Sequence, residues 1–290
     1  MVEYILGNHL VEAGKITKAQ LKQVMDEHNS VRVKLGLIAV SEGMMTMEQA
    51  DSVNRLQALR DQRFGDIAIE KGYLTDEQVE KLLKKQGNAY LMFVQTLIDD
   101  GYITIEELDW LLNDFRHEHG LSLSDLEDLK SDDVERIVPL LLPEEAMQYK
   151  DLICLAMRTM IRFIDRNIYM GRAVMVESLP TNAYATQSLA WERGLVDFLS
   201  ERDGALLQLS CRFGRMDFEQ LDLEALDAAG EFLNCINGLY VAKLSREGEF
   251  MDLMPPLYNE CKDRIKNNYL CRIPVFIGEH GLYFTVAEMA

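Results

Sequence analysis

The 290-residue sequence lacks several features that would mark a membrane, secreted or metal-binding protein. No run of 18 apolar residues is present, so no transmembrane helix is predicted. The first residues lack the basic and apolar segments of a signal peptide. The five cysteines include no C-x-x-C pair, which disfavours a zinc site or a disulfide framework. We therefore expect a cytoplasmic protein with buried thiols.

Positive charge is also scarce. The formal net charge is −18, which argues against binding to nucleic acid or to an anionic membrane surface. The chain is long enough for two domains, and its acidic residues are densest between positions 117 and 149. We therefore predict one domain over residues 1–116, an acidic helical connector over 117–149 with a break at Pro139 and Pro143, and a second domain over 150–290.

A period of 29 residues runs through the first segment. Three residue types recur with it: Gly14, Gly43, Gly72 and Gly101, then Thr17, Thr46, Thr75 and Thr104, then Gln20, Gln49, Gln78 and Glu107. The glycine suits a left-handed helix C-terminus. The threonine suits an N-cap, and the Gln or Glu three residues later completes a capping box. The pattern predicts an all-α array of four helical hairpins, which must pack on one another to bury their apolar faces.

Two repeats carry a basic residue and a glycine where the unit begins. The residues concerned are Lys34, Leu35, Gly36 and Gln57 in unit two, and Arg63, Phe64, Gly65 and Gln86 in unit three. Their spacing resembles the tandem MshEN motif of secretion and pilus ATPases, which begins R-L-G and ends in Gln. The resemblance implies that these eight residues bind cyclic di-GMP. The alternative is a helical adaptor that keeps the scaffold without the ligand.

Strands interrupted by a few long helices are predicted for residues 150–290, which indicates an α/β or α+β domain. The predicted helices are Asp151–Arg166 and Leu223–Leu244. The predicted strands are Arg172–Ser178, Ala183–Leu189, Ala205–Cys211 and Glu249–Leu253, followed by a hairpin of Arg272–Ile277 and Gly281–Ala287. With the helical array, this makes the chain a multidomain α+β protein.

The helix predicted from residue 223 carries polar residues along one narrow strip. Its members are Asp227, Glu231, Asn234 and Gly238, which are three or four residues apart. The apolar residues of this helix fall on the opposite side and are expected to face the core. We predict an exposed strip on which Gly230 and Gly238 leave room for a partner. The alternative is an ordinary solvated helix face.

This strip resembles the motif of the CheC/CheX/FliY family of chemotaxis phosphatases, and most of all that of CheX. The family motif places Glu and Asn in an E-x-x-N pair after an Asp or Ser, with a Pro further along the chain. Asp227, Glu231, Asn234 and Pro256 correspond to it in residues 150–290. A single E-x-x-N copy is similar to CheX, which implies a homodimer formed through a sheet edge.

The resemblance implies hydrolysis of the aspartyl-phosphate of a CheY-type response regulator. Mg²⁺ would be held by the regulator, so no metal or cofactor is expected in this chain. Glu231 and Asn234 would be catalytic. Asn234 would orient water, because a carboxamide cannot act as a base at neutral pH, and Glu231 would pair with a cation of the regulator. Asp227 and Gly238 would contact the partner. The alternative is a non-catalytic signalling adaptor, with cyclic di-GMP bound by repeats two and three.

Overall fold

The chain divides into two compact units, Val2–Asp132 and Asp133–Ala290. The computed structural model describes residues 1–28, 33–59, 63–85, 88–190, 194–260 and 263–288. The boundary between the units falls inside the segment predicted as an acidic connector. One helix of that segment belongs to the N-terminal unit and the next to the C-terminal unit. The two units together have the predicted α+β class.

The N-terminal unit is helical throughout the part that is described. Its helices are α1 (Val2–Glu12), α2 (Lys18–His28), α3 (Leu35–Ser41), α4 (Met47–Leu59), α5 (Phe64–Glu70), α6 (Asp76–Lys84), α7 (Ala89–Asp99), α8 (Ile105–Glu118) and α9 (Leu123–Lys130). The four periodic glycines lie between the paired helices with φ between 64° and 73°. Glycine adopts this left-handed conformation without the strain that a Cβ would add. The predicted helical hairpins are therefore confirmed.

The capping boxes are also formed as predicted. The hydroxyl of Thr75 accepts a hydrogen bond from the N–H of Gln78, and the side-chain oxygen of Gln78 accepts one from the N–H of Thr75 at 2.8 Å. The same reciprocal bonds join the pairs Thr17–Gln20, Thr46–Gln49 and Thr104–Glu107. Each box satisfies backbone donors that have no partner within the helix. The repeat is thus specified mainly by local interactions.

The C-terminal unit combines helices with one antiparallel sheet. Its helices are α10 (Val134–Leu141), a 3₁₀ helix (Glu144–Tyr149), α11 (Lys150–Phe163), α12 (Ala205–Gly214) and α13 (Leu223–Glu247). Its strands are β1 (Tyr169–Met170), β2 (Val174–Thr181), β3 (Tyr184–Ala190), β4 (Leu195–Glu201), β5 (Asp252–Leu253), β6 (Leu257–Asn259), β7 (Asp263–Ile277) and β8 (His280–Glu288). The order is β1-β7-β8-β4-β3-β5, with β2 also paired to β7 and β6 to β3.

Helix α13 packs on the sheet where β3 and β4 lie side by side. Leu233 and Ile236 of the helix are buried, as are Leu189 and Leu199 of the strands. Phe232 of the same helix packs edge-on against Phe213 of α12. Side chains alternate between the two faces of a sheet. Every second residue of β3 and β4 therefore faces α13, and the polar residues at those positions are covered by the helix.

One predicted strand of the chain after residue 132 was wrong, and one observed strand was missed. Residues 205–211 begin α12 rather than a strand, with Leu206 and Leu209 buried on one helical face. Strand β4 was not predicted, because Asp197 and Ser200 interrupt its apolar sequence. Pro139 lies inside α10, and the chain between α10 and Glu144 is extended at Leu142 and Pro143. Apolar runs of this length do not by themselves distinguish a strand from a buried helix.

The thiols are not all buried as expected. Cys154 and Cys271 are buried, but Cys235 is exposed on α13. Among the described helices, none is both long and apolar enough to cross a bilayer. The sheet ends in β5 and β6 at one edge and in β1 and β2 at the other. The homodimer through a sheet edge stays a prediction.

Candidate functional site

The polar strip of α13 lies on the surface of the C-terminal unit. Asp227 and Glu231 are exposed, and Asn234 and Gly238 are half-buried. Between them, buried residues of the same helix face the sheet. The strip therefore has the orientation that its helical spacing predicts. A carboxylate and a carboxamide are thereby presented one helical turn apart.

The side chain of Asn234 is hydrogen-bonded to the sheet on which α13 packs. Its Oδ1 accepts a hydrogen bond from Nε2 of Gln187 on β3 at 2.9 Å. Its Nδ2 lies 3.4 Å from Oε2 of Glu231 and donates to it. Asn234 thus connects the exposed carboxylate with a residue of the core.

Gln187 is the centre of a chain of buried amide groups. Its Nε2 also donates to the backbone carbonyl of Met254 at 2.8 Å. Its Oε1 accepts from Nδ2 of Asn237 on α13 at 2.9 Å. A backbone carbonyl can only accept, so the nitrogen of Gln187 faces Met254. The same nitrogen faces Asn234, and the oxygen of Asn234 must therefore point inward and its amino group outward.

Asp197 ends this chain inside the unit. It lies directly opposite Gln187 across the β3–β4 pair, and its Oδ1 accepts a second hydrogen bond from Nδ2 of Asn237 at 3.1 Å. Its Oδ2 has no hydrogen-bond partner among the described residues. Burial raises the pKa of Asp197 from 3.8 to about 7, and the bond from Asn237 opposes the shift. A titratable group with its pKa near neutrality therefore lies beneath the strip.

Gly230 does not leave room for a partner, contrary to the prediction. It is buried, and a Cβ at this position would lie 3.2 Å from the Cβ of Pro256. Gly230 therefore lets Pro256 pack on α13, next to the strip. At Gly238, an added Cβ would meet nothing within 4 Å in the part of the chain that is described. Gly238 alone is open to a partner.

An apolar rim lies beside the strip, on the chain that leads into and through β6. Met254 is 44% exposed, Leu257 is 68% exposed and Tyr258 is 40% exposed. Pro256 and Tyr258 are the neighbours of Gly230, and Met254 is joined to Asn234 through Gln187. Exposed apolar residues grouped around polar ones are typical of a surface that binds another protein.

In the array, the basic residues of the predicted nucleotide site occupy equivalent positions. Lys34 and Arg63 are the N-cap residues of α3 and α5, and both are exposed. Lys34 forms an ion pair with Asp99 at 2.7 Å. The side chain of Gln57 and the whole of Gln86 lie outside the described residues. The cyclic di-GMP site stays a prediction.

The glycines of that site are close to side chains of the array. A Cβ at Gly36 would lie 3.0 Å from the ring of Phe64, and one at Gly65 would lie 2.8 Å from Val79. Phe64 is itself buried, and Leu35 is half-buried. Gly36 and Gly65 therefore allow neighbouring helices of the array to approach each other.

A buried histidine lies elsewhere in the N-terminal unit. Nδ1 of His9 is 3.3 Å from Glu118, and its Nε2 is 3.6 Å from Asp114. His9, Glu118 and His119 form a group whose possible ligand atoms all lie within 4.8 Å of one another. His9 is distant in the sequence, so its position beside them could not be predicted.

Gln187, Asn237 and Asp197 were not predicted as site residues. Asn237 lies beside the motif, but its spacing gives no sign that it is buried. Gln187 is 47 positions from Asn234 in the sequence and 50 from Asn237. Only the folded sheet brings them together. The one available signal was polar residues inside otherwise apolar strands, which usually need a buried partner.

No protein-family model matches the sequence, and no curated protein matches it. Several solved structures are similar to about half of the chain. A CheC-like superfamily protein from Shewanella sp. PV-4 is 12% identical, covers 48% of this chain and 95% of its own, and has a TM-score of 0.42. The chemotaxis protein CheX from Desulfovibrio desulfuricans is 13% identical, with coverage of 49% and 98% and a TM-score of 0.42. A CheX–CheY–BeF3–Mg²⁺ complex from Borrelia burgdorferi is 15% identical, covers 48% of this chain and 96% of its own, and has a TM-score of 0.39.

Proposed function

We propose that the C-terminal unit hydrolyses the aspartyl-phosphate of a CheY-type response regulator. The observation that carries the proposal is the pair of Glu231 and Asn234, presented at the surface one helical turn apart, with Asn234 fixed to the sheet by Gln187. A surface pair suits a substrate that is itself a folded protein. A small-molecule enzyme would instead need a concave pocket.

The reaction requires little from the protein beyond positioning. The oxygen of a water molecule attacks phosphorus, the bond between phosphorus and the acyl oxygen breaks, and inorganic phosphate and the aspartate carboxylate are released. Because the acyl phosphate is already activated, an aligned water and charge stabilisation provide most of the catalysis. Asn234 orients the water by hydrogen bonding. Mg²⁺ held by the regulator neutralises the phosphoryl oxygens.

A covalent route through the neighbouring thiol is disfavoured. Cys235 is exposed next to Asn234. Partial burial and the carboxylate of Glu231 raise its pKa above the ordinary thiol value. The nucleophilic form is the thiolate, so a raised pKa lowers its population at neutral pH. Direct attack by water therefore fits the environment of α13 better than a phosphocysteine intermediate.

Docking of the regulator would use both the charge and the apolar rim. Glu231 is exposed and can pair with a lysine or arginine of the regulator at the edge of the interface. Leu257 and Tyr258 provide apolar surface beside it. Charged contacts at a rim mainly set orientation and association rate, whereas buried apolar contacts supply most of the affinity. Glu231 would thus align the regulator so that its phosphoryl group meets Asn234.

The test is phosphate release from regulators of the same host, phosphorylated with acetyl phosphate and mixed with the purified chain. Asn234→Ala should abolish the acceleration and keep binding to the beryllofluoride-activated regulator. Glu231→Gln should weaken binding. Glu224→Ala, which changes an exposed acid of the same helix, is the matched control and should behave as wild type. Equal hydrolysis rates for the wild type and Asn234→Ala would refute catalysis, and retained binding would then indicate a non-catalytic adaptor.

A further inference from the structure

The side chain of Gln187 is engaged at both of its polar atoms. Nε2 donates to Met254 and Asn234, and Oε1 accepts from Asn237. Only 1% of Gln187 is exposed, so water cannot replace these partners. Turning the amide over would bring its oxygen against two other oxygen atoms, those of Met254 and Asn234. A buried amide with this set of partners has one stable orientation.

We propose that Gln187 is a positioning residue that fixes Asn234 with its carbonyl oxygen inward and its amino group toward the regulator. The inference rests on the proposed function and adds the chemical character of the group that Asn234 presents. That group is an N–H donor. It donates to one lone pair of the attacking water, and the other lone pair of that water is left for phosphorus.

Asn237, at the buried end of the hydrogen-bonded chain of amides, holds Gln187 in turn. Nδ2 of Asn237 donates to Gln187 and to Asp197, which face each other across β3 and β4. Asn237 and Asn234 belong to the same helix, three residues apart. Gln187 therefore connects two turns of α13 to the sheet, and the orientation of Asn234 is fixed relative to Glu231 as well as to the core.

The expected effect follows from the freedom that Asn234 would gain. Without Gln187, the two χ1 positions that a helix favours and the two amide orientations would give about four arrangements, of which one is competent. The Gln187→Leu variant should therefore lower kcat about fourfold. It should leave the half-saturating concentration of regulator within about twofold, because Glu231 and the apolar rim are unchanged. A variant that merely disturbed the fold would lower kcat and weaken regulator binding together.

Two further variants make the kinetic test specific. Gln187→Glu keeps the shape of the side chain but presents an acceptor to Asn234, so its kcat should fall at least as far as that of Gln187→Leu. Thr285→Val removes another buried polar group of the sheet, whose hydroxyl has no hydrogen-bond partner among the described residues. Its kcat should match the wild type. A wild-type kcat in both Gln187 variants would overturn the proposal.

Nuclear magnetic resonance separates this proposal from the proposed function. The side-chain amide pair of Asn234 can be assigned by its loss in Asn234→Ala. In the free protein, this pair should shift in Gln187→Leu and stay at its wild-type position in Thr285→Val. If the wild type hydrolyses no regulator but the shift is found, the proposed function fails and the positioning role stands. An unshifted pair in Gln187→Leu would refute the positioning role whatever the kinetics show.

Discussion

Replacing Asp197 with asparagine should change the way in which the stability of the C-terminal unit depends on pH. Burial raises the pKa of this carboxyl to about 7. The native state therefore keeps the proton up to about pH 7, whereas the unfolded chain loses it near the ordinary value of 3.8. Between these values the native state binds more protons. The wild type must lose stability as the pH rises through this window.

The size of the effect follows from the shift. A rise of about three pKa units corresponds to about 4 kcal/mol, and Asp197 is fully buried, so solvent screening does not reduce it. The asparagine keeps the bond that Asn237 donates to Oδ1, but its new amino group replaces the unpartnered Oδ2. That costs about 1–3 kcal/mol at every pH. The Asp197→Asn variant should therefore be about 1–3 kcal/mol more stable than the wild type at pH 8.

The assay compares the two proteins at pH 5 and pH 8. Hydrogen exchange of the amides of β4 and α13, corrected for the intrinsic rates, reports the C-terminal unit alone, since a chain of two units need not unfold in one step. The stability difference between variant and wild type should change by about 3 kcal/mol between these pH values. Asp227→Asn, on the exposed strip, should show no such change. A constant difference for Asp197→Asn would refute the buried, proton-binding carboxyl.

Three further predictions concern other parts of the chain. Gly238→Ala should raise the stability of the C-terminal unit by about 0.5–1 kcal/mol, because the site is helical and open. The same variant should bind the regulator more weakly if Gly238 is a contact. Gly72→Ala and Thr75→Ala should each lower the free energy of unfolding of the array by about 1 kcal/mol. Gly72→Ala strains a left-handed backbone position, and Thr75→Ala removes the N-cap of α6. Calorimetry tests the predicted nucleotide site. Cyclic di-GMP at high micromolar concentration should give saturable heat that Arg63→Ala abolishes, and no heat from the wild type would refute the site.

The array could be predicted from the sequence because its signals are local. A left-handed glycine and a capping box each involve residues within a few positions of one another. Thr75 and Gln78 form the same bonds whatever packs around them. The 29-residue period then repeats the same local solution four times. How the helices pack is not local, and this is why the contact between Gly36 and Phe64 could not be foreseen.

The sheet was harder to predict because its strands depend on partners. Strand β4 contains a buried aspartate and a buried serine, which a periodicity search interprets as solvent-facing. Asp197 is tolerated inside the unit because Asn237 donates to it and because its raised pKa lets it remain neutral. Neither condition is visible in the strand itself. The polar strip of α13 was easier to predict from the sequence, because helical spacing alone determines which residues share a face.

The rotation of α13 about its own axis decides whether Glu231 and Asn234 face outward. Apolar packing alone would fix that rotation loosely, since hydrophobic contacts are not directional. Two contacts make it specific: Pro256 fits against Gly230, where no side chain is in the way, and Asn237 must reach both Gln187 and Asp197. A turn of one residue, about 100°, would leave that buried pair without its donor. The buried polar residues therefore specify the orientation of the helix, and with it which residues of α13 are exposed.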